Sequence, residues 1–284
     1  MDISYINNDC KAAGCNCPAI EVLKELSVGQ LVLQAVIFDF DGTISTLRQG
    51  WEGIMEPLMI EMIVGEKPPT QQLIEGVRRY IDESAGIQTI FQMQWLEKEV
   101  RRRGLNKRIH DAWWYKDEYN RRLLNMVKTR VEMLERGWRS PEDFMIKGAE
   151  QFIRSLRERG LDLYLASGTD HWDVVREVNA LGLSEFFTQI MGAPERRVHC
   201  SKEAVMRLLI ETKGLTGKEL LVVGDGKVEI ALGVEVGAVT LGVASDEVKR
   251  EGLNPVKRKR LIQAGAHMII RDFSCSREIL NLLF

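Results

Sequence analysis

The stretch that decides the fold is Ala35-Val36-Ile37-Phe38-Asp39-Phe40-Asp41-Gly42-Thr43. Four apolar residues, β-branched and aromatic among them, break off into two aspartates and a glycine. A short apolar run bounded by turn residues predicts a buried strand; a helix would need a longer periodic segment. The side-chain period of two puts Asp39 and Asp41 on one side if the extended geometry persists past the strand. Gly42 permits a tight exit turn.

Outward from that strand the texture divides. Residues 48–140 contain no convincing strand and read as helices over 51–64, 70–83, 87–103 and 111–136, with Pro68-Pro69 as a break and Gly65, Gly86, Gly104 and Gly137 as stops. Ser140-Pro141 looks like an N-cap followed by proline in the first helical position. From about residue 145 strands and helices alternate. A helix over 149–159 precedes a strand at 161–166, and helices begin near Asp170 and at Ser201. Strands follow at 220–223, 239–243 and 267–270, with helices at 228–236, around 258–263 and at the C-terminus. Strands separated by helices predict parallel pairing through right-handed crossovers, a doubly wound Rossmann-like α/β sheet. The expected domains are an N-terminal extension (1–33), an α/β core (34–47 and 141–284) and an inserted all-α cap (48–140). The extension, with a short amphipathic stretch at 19–26, could pack on the core, cover a sheet edge or form a dimer contact.

The chain has 284 residues, with 39 Lys+Arg against 41 Asp+Glu. That balance argues against a dedicated nucleic-acid or polybasic membrane binder. No apolar run approaches a membrane span, and the N-terminus lacks the basic-then-apolar pattern of a signal peptide, so a cytoplasmic location is expected. The five cysteines, Cys10, Cys15, Cys17, Cys200 and Cys275, then read as reduced thiols. Cys15 and Cys17 could be half of a metal site, but no matching pair follows.

Four segments fall where the expected strands end. Asp39 and Asp41 offer paired carboxylates, which allow one nucleophile or metal ligand and one general acid/base. Ser167-Gly168-Thr169 offers a hydroxyl and backbone N–H groups ahead of a helix, suited to an anion. Lys202 stands in the first turn of a helix, where the macrodipole does not favour it, and would suit neutralising a bound anion. Asp225 and Glu229, in Gly224-Asp225-Gly226-Lys227-Val228-Glu229, offer hard oxygen donors suited to Mg²⁺. Each segment alone has a bland counterpart: a turn, a helix cap, a solvated lysine, a first-turn acid. Their joint clustering at strand ends of one sheet carries the reading.

DFDGT, ASGT, Ser-Lys and GDGKVE, in this order, resemble the haloacid dehalogenase-like superfamily over about residues 34–284. The resemblance implies a Rossmann-like core with a helical type 1 cap. It implies that Asp39 is a nucleophile forming an aspartyl-phosphate and that Asp41 is the general acid, then base. Ser167 and the Gly168 backbone would hold the phosphoryl group, and Lys202 would steady its charge. Asp225, the Asp39 carboxylate and the Asp41 carbonyl would bind Mg²⁺. Glu229 stands where aspartate is more usual, so it would ligate the metal directly or reach it through water. An aspartate at position 41 fits alkoxide leaving groups, hence a phosphatase or a phosphomutase.

The expected function is a Mg²⁺-dependent phosphatase for a small phosphorylated metabolite, such as a sugar or polyol phosphate, with neither nucleic acid nor membrane as partner. Arg48, Gln88, Gln92 and Gln94 are candidate cap residues for choosing the substrate. His171 and His199 are weaker candidates for contacting it. A sugar phosphomutase is the alternative enzyme, although the first histidine after DFDGT is His110. A non-catalytic scaffold or nucleic-acid binder is the alternative outside enzymes. Its best support is the basic and aromatic segment from Arg101 to Arg122, interrupted by Asp111, Asp117 and Glu118. Lys257-Arg258-Lys259-Arg260 reads as a solvated helix face. The cap carries 17 Lys+Arg against 14 Asp+Glu, a surplus expected to face an anionic substrate.

Overall fold

The computed structural model describes residues 20–24, 32–197 and 201–284. Seven strands form one sheet: β1 (Ile20–Val22), β2 (Ala35–Phe38), β3 (Asp162–Asp170), β4 (Gln189–Ala193), β5 (Leu220–Gly224), β6 (Val239–Val243) and β7 (Met268–Ile270). Their order is β1-β7-β6-β5-β2-β3-β4, and every pairing except β1–β7 is parallel. β2 lies between β3 and β5, so the chain leaves it toward one side of the sheet and later crosses to the other. That is the topological switch point, and the crevice beyond its strand ends is where ligands bind in such sheets.

The pleat explains the apolar run. Val36 and Phe38 pack on one face with Leu163, Leu165 and Phe152, while Ala35 and Ile37 pack on the other with Tyr164, Val205 and Leu220. Helices cover both faces, so β2 and β5 are buried along their whole length. The covering helices are α5 (Ala149–Glu158), α6 (His171–Ala180), α7 (Ser201–Lys213), α8 (Lys227–Glu235), α9 (Pro255–Gln263) and α10 (Ser276–Leu283).

Between β2 and β3 come only α-helices and one 3₁₀ turn: α1 (Glu52–Val64), α2 (Gln71–Glu83), α3 (Thr89–Arg103) and α4 (Ala112–Glu135) form the cap, followed by the turn at Pro141–Phe144 and then α5. Apolar residues three and four apart give each cap helix a buried stripe: Met55, Leu58, Met59 and Ile63 on α1, and Leu123, Val127 and Val131 on α4. Thr70 and Asp111 cap α2 and α4 by accepting from Leu73 N–H and Trp114 N–H. The stripes join the same apolar cluster as the core residues Phe40, Ile44 and Leu47.

Two strands were not expected. β4 is a half-exposed edge strand interrupted by Gly192, which leaves little alternation to read. β1 spans three residues of the segment read as amphipathic and pairs antiparallel with β7, covering that edge of the sheet. Arg258 fixes it through a bidentate ion pair with Glu21 at 2.6–2.9 Å. Cys275 is disulfide-bonded, which corrects the expectation of reduced thiols throughout. Cys10, Cys15, Cys17 and Cys200 lie outside the described residues. Among the described residues no helix is long and apolar enough to cross a membrane.

Candidate active site

β2 delivers Asp39 and Asp41 just past its C-terminal end. Asp39 N–H donates to the Val223 carbonyl at 2.9 Å, so the parallel ladder continues to this residue. The Asp39 carboxylate has a partner on each oxygen. Lys202 Nζ lies 2.8 Å from Oδ1, and Thr43 Oγ1 donates to Oδ2 at 3.3 Å. Burial raises the Asp39 carboxyl well above the ordinary range; Lys202 opposes this, while Glu229 and Asp225 reinforce it.

Lys202, in the first turn of α7, places its ammonium between Asp39 and Glu229, 2.8 Å from each. Burial disfavours that charge, yet the two carboxylates outweigh it and hold the lysine above its usual range. Glu229 is committed at both oxygens: Oε1 accepts from Gly226 N–H at 2.5 Å and Oε2 from Lys202. It therefore closes the first turn of α8 and fixes Lys202. Asp225, at the end of β5, accepts from Thr43 Oγ1 at 3.4 Å and pairs with Lys257 at 2.5 Å. Burial would raise its carboxyl, but Lys257 more than offsets this and holds it below the ordinary range.

Asp41 faces the opposite wall. Its Oδ2 accepts from Ser167 Oγ at 3.2 Å and Thr169 Oγ1 at 2.9 Å. Its Oδ1 is buried without a hydrogen bond, 3.7 Å from Arg48 Nε. β3 runs on through these hydroxyl residues, with a shift of register between Ala166 and Asp170 where a turn was expected. Such an irregularity re-aims side chains at a strand end. Thr169 thus supplies a second hydroxyl to Asp41 beside that of Ser167, a pairing that its place after Gly168 in the sequence does not specify.

Asp39, Asp225 and Glu229 each offer an oxygen within 4.8 Å of the others. An all-oxygen donor set at a strand-end crevice fits a hard divalent cation such as Mg²⁺. Asp39 and Asp225 line the cleft and Glu229 lies behind them, tied to Gly226 N–H and Lys202, so the two aspartates are the better direct donors.

The cap closes the cleft from above. Trp51, Glu52, Gln92, Tyr119 and Leu123 line it together with Asp39, Asp41, Lys202 and Asp225. The cap loop 84–88 lies on the Ser167–Gly168 segment: a Cβ on Gly168 would stand 3.5 Å from the Ile87 carbonyl oxygen and 3.6 Å from Gln88 Cα. Lys227 donates to the Glu83 carbonyl of the same loop. On the other side Lys116 and Asn120 of α4 both hold Asp170, Asn120 at 2.8 Å.

The selectors expected in the cap have mixed placements. Arg48 lines the cleft, but Glu177 engages its guanidinium through contacts of 2.6–3.2 Å. Burial, against the opposing pull of Arg48, pushes the Glu177 carboxyl up to about 7. Gln92 lines the cleft while its amide donates to Ser84 Oγ at 3.1 Å. Gln88 is buried at the Gly168 contact, and Gln94 is not among the cleft residues. His171 accepts from Gly192 N–H at 3.4 Å and does not line the cleft; His199 lies outside the described residues.

Two expectations are corrected. Apart from Arg48, the cap's arginines do not line the cleft: Arg101 pairs with Glu97, Arg102 and Arg103 with Glu99, and Arg121 and Arg122 with Glu118, on the helices that carry them. Nor is the basic run at 257–260 a solvated face. Lys257 is buried in the cleft, Arg258 holds β1, and Arg260 lines the cleft beside Asp82. The spacing of a basic run reveals which residues share a helix face but not what covers that face.

A doubly wound core, a helical cap and a crevice of carboxylates and lysine at the switch point define a class of capped α/β hydrolases. Residues 33–237 match the haloacid dehalogenase-like hydrolase model, and the chain belongs to that family. Solved structures share the fold at low identity. A predicted phosphatase of Clostridium acetobutylicum is 16% identical, with a TM-score of 0.58 over 88% of this chain and 100% of its own. A predicted phosphoglycolate phosphatase of Haemophilus somnus is 17% identical, with a TM-score of 0.59 over 89% and 100%. A β-phosphoglucomutase of Clostridium difficile is 14% identical, with a TM-score of 0.58 over 87% and 99%. No curated protein matches the sequence.

Proposed function

We propose that this chain is a Mg²⁺-dependent phosphatase that hydrolyses a small phosphorylated metabolite through an aspartyl-phosphate on Asp39. The observation that carries it is the unequal setting of the two aspartates. Asp39 is ion-paired to Lys202 beside Asp225, whereas Asp41 is held by two hydroxyls and keeps one oxygen free of hydrogen bonds. The first arrangement suits a nucleophile and the second a proton carrier.

In the first step an Asp39 oxygen forms a bond to phosphorus as the ester P–O bond breaks, and Asp41 gives its proton to the leaving oxygen. In the second step Asp41 takes a proton from water, whose oxygen attacks the phosphorus and releases Asp39 and inorganic phosphate. Lys202 offsets the repulsion between carboxylate and phosphate dianion, and Ser167 with the Gly168 backbone orients the phosphoryl oxygens. A divalent cation held by Asp39, Asp225 and the Asp41 carbonyl would supply further charge neutralisation. The cap, residues 48–140, excludes water from the crevice, and its enclosed face favours a small substrate over a protein.

A phosphomutase would use the same groups. His110, the first histidine after Asp41, stacks on Trp114 at 3.6 Å and does not line the cleft. That supports hydrolysis.

The test is phosphate release from a panel of phosphorylated metabolites with Mg²⁺ and with EDTA, alongside conversion of a hexose 1-phosphate to its 6-phosphate. Release that requires Mg²⁺ and disappears in Asp39→Asn is expected. Asp39→Asn activity above about a tenth of wild type, larger than the residue an activated nucleophile leaves behind, removes the assignment.

A further inference from the structure

The cleft holds a second buried lysine that the four strand-end segments do not include. Lys257, on α9, is 6% exposed. Its Nζ lies 2.5 Å from Asp225 Oδ2, 2.7 Å from Glu247 Oε1 and 3.5 Å from the Gly42 carbonyl oxygen, to which it donates. Glu247 comes from the loop after β6 and also lines the cleft. Gly42 makes the meeting sterically possible. Its φ is +75°, and a Cβ there would stand 2.5 Å from Asp225 Oδ2 and 2.9 Å from Glu247 Oε1.

Four carboxylates, Asp39, Asp225, Glu229 and Glu247, are set against two ammonium groups, Lys202 and Lys257. In this connected cluster the acidic groups outnumber the basic ones, which favours a cation. Burial disfavours the Lys257 charge, but Asp225 and Glu247 outweigh it and keep the side chain protonated. Asp225 is thus gripped from two sides, by Thr43 on Oδ1 and by Lys257 on Oδ2.

We propose that Lys257 is a positioning residue: a built-in counter-cation that holds Asp225 and Glu247 in place and, by competing for Asp225, sets how tightly the site binds a divalent metal. The proposal rests on the metal reading given above. Its functional consequence is a site that keeps its shape between metal-binding events, although like charges a few ångströms apart in a buried cleft repel strongly. Glu247 acts in the opposite sense, drawing Lys257 away from Asp225 and adding negative charge.

The two residues therefore predict shifts of opposite sign. Titration calorimetry of the substrate-free protein with MgCl₂ is the measurement. Lys257→Met should bind Mg²⁺ about tenfold more tightly and Glu247→Gln about tenfold more weakly, a modest share of what one unit charge at this range is worth. In EDTA, Lys257→Met should melt below wild type, and saturating Mg²⁺ should restore more of its melting temperature than it adds to wild type. A Lys257 that only fills space would lower melting equally with and without Mg²⁺ and leave the affinity unchanged; that result overturns the proposal. Shifts in the same direction for both variants overturn it as well. If Lys257→Met does not fold, Glu247→Gln decides alone: weaker binding supports the proposal, and equal or tighter binding removes it. Absence of Mg²⁺ binding by the wild-type chain overturns the metal reading and this proposal with it, whereas wild-type binding with the wrong signs overturns this proposal alone.

Discussion

Arg48 shows how a single residue can sit in a cleft and still owe its place to the fold. Its side chain is nearly buried, and Glu177, more buried still, takes both Nε and Nη2. Removing one partner of such a pair leaves the other charge without compensation, a loss of about 3–5 kcal/mol. Arg48→Met should therefore cost stability in urea unfolding before it reports on substrate choice. The double variant Arg48→Met/Glu177→Leu should recover much of that loss. The sign with pH follows from Glu177, whose folded-state carboxyl is raised above its unfolded value. A raised carboxyl contributes its full stability at low pH and loses it as pH rises through the folded value. The deficit of Arg48→Met should then shrink between pH 8 and about 5, as Glu177 takes up a proton. A deficit that stays constant across that range would show that Glu177 does not carry the cost.

At the scale of elements, the contact between the cap loop and the end of β3 borders the cleft at Ser167 and Gly168. A Cβ on Gly168 would meet the loop at ordinary contact distance, 3.5–3.7 Å, and the φ of this glycine is not among the positive ones. Gly168→Ala should behave like wild type. Gly168→Leu has no room beneath Ile87 and Gln88 and should displace the loop, costing about tenfold or more in kcat/KM with little change in unfolding midpoint. Equal activity in the two variants would mean that the loop does not close on this segment during turnover.

For the whole molecule, the cap's positive surplus is real as a sum, but of its lysines and arginines only Arg48 lines the cleft. Five of the twelve arginines counted in it, Arg101, Arg102, Arg103, Arg121 and Arg122, are ion-paired along their own helices, and the side chains of Arg101, Arg102 and Arg121 are largely in solvent. Exposed pairs of this kind contribute about 0–1 kcal/mol and are screened by salt. Reversing Arg101, Arg102 and Arg121 to glutamate should leave KM for the true substrate within about twofold at physiological ionic strength. A severalfold rise would restore the idea that the cap steers an anion by its net charge. The cations that do face the cleft are Arg48, Lys202, Lys257 and Arg260, none of them on the four cap helices: Arg48 comes from the connection into α1, Lys202 from α7, and Lys257 and Arg260 from α9.

The parts whose physics is local can be read from the residues alone. A run such as Ala35-Val36-Ile37-Phe38 has one good use, a buried strand, and the pair Asp39 and Asp41 inherits its direction from that strand. Glycine stops and apolar stripes likewise marked the cap helices, and Ser201-Lys202 marked the start of α7. The remainder depends on partners distant in the chain and emerges only in the folded molecule. Lys257 and Asp225 are 32 residues apart, and Lys116 and Asp170 are 54 apart. No periodicity encodes such meetings. They follow from how α9 lies over β6 and β7 and how α4 leans on the end of β3. The short edge strands β1 and β4 belong to the same class, because a few half-buried residues become a strand only when a neighbouring ladder accepts them.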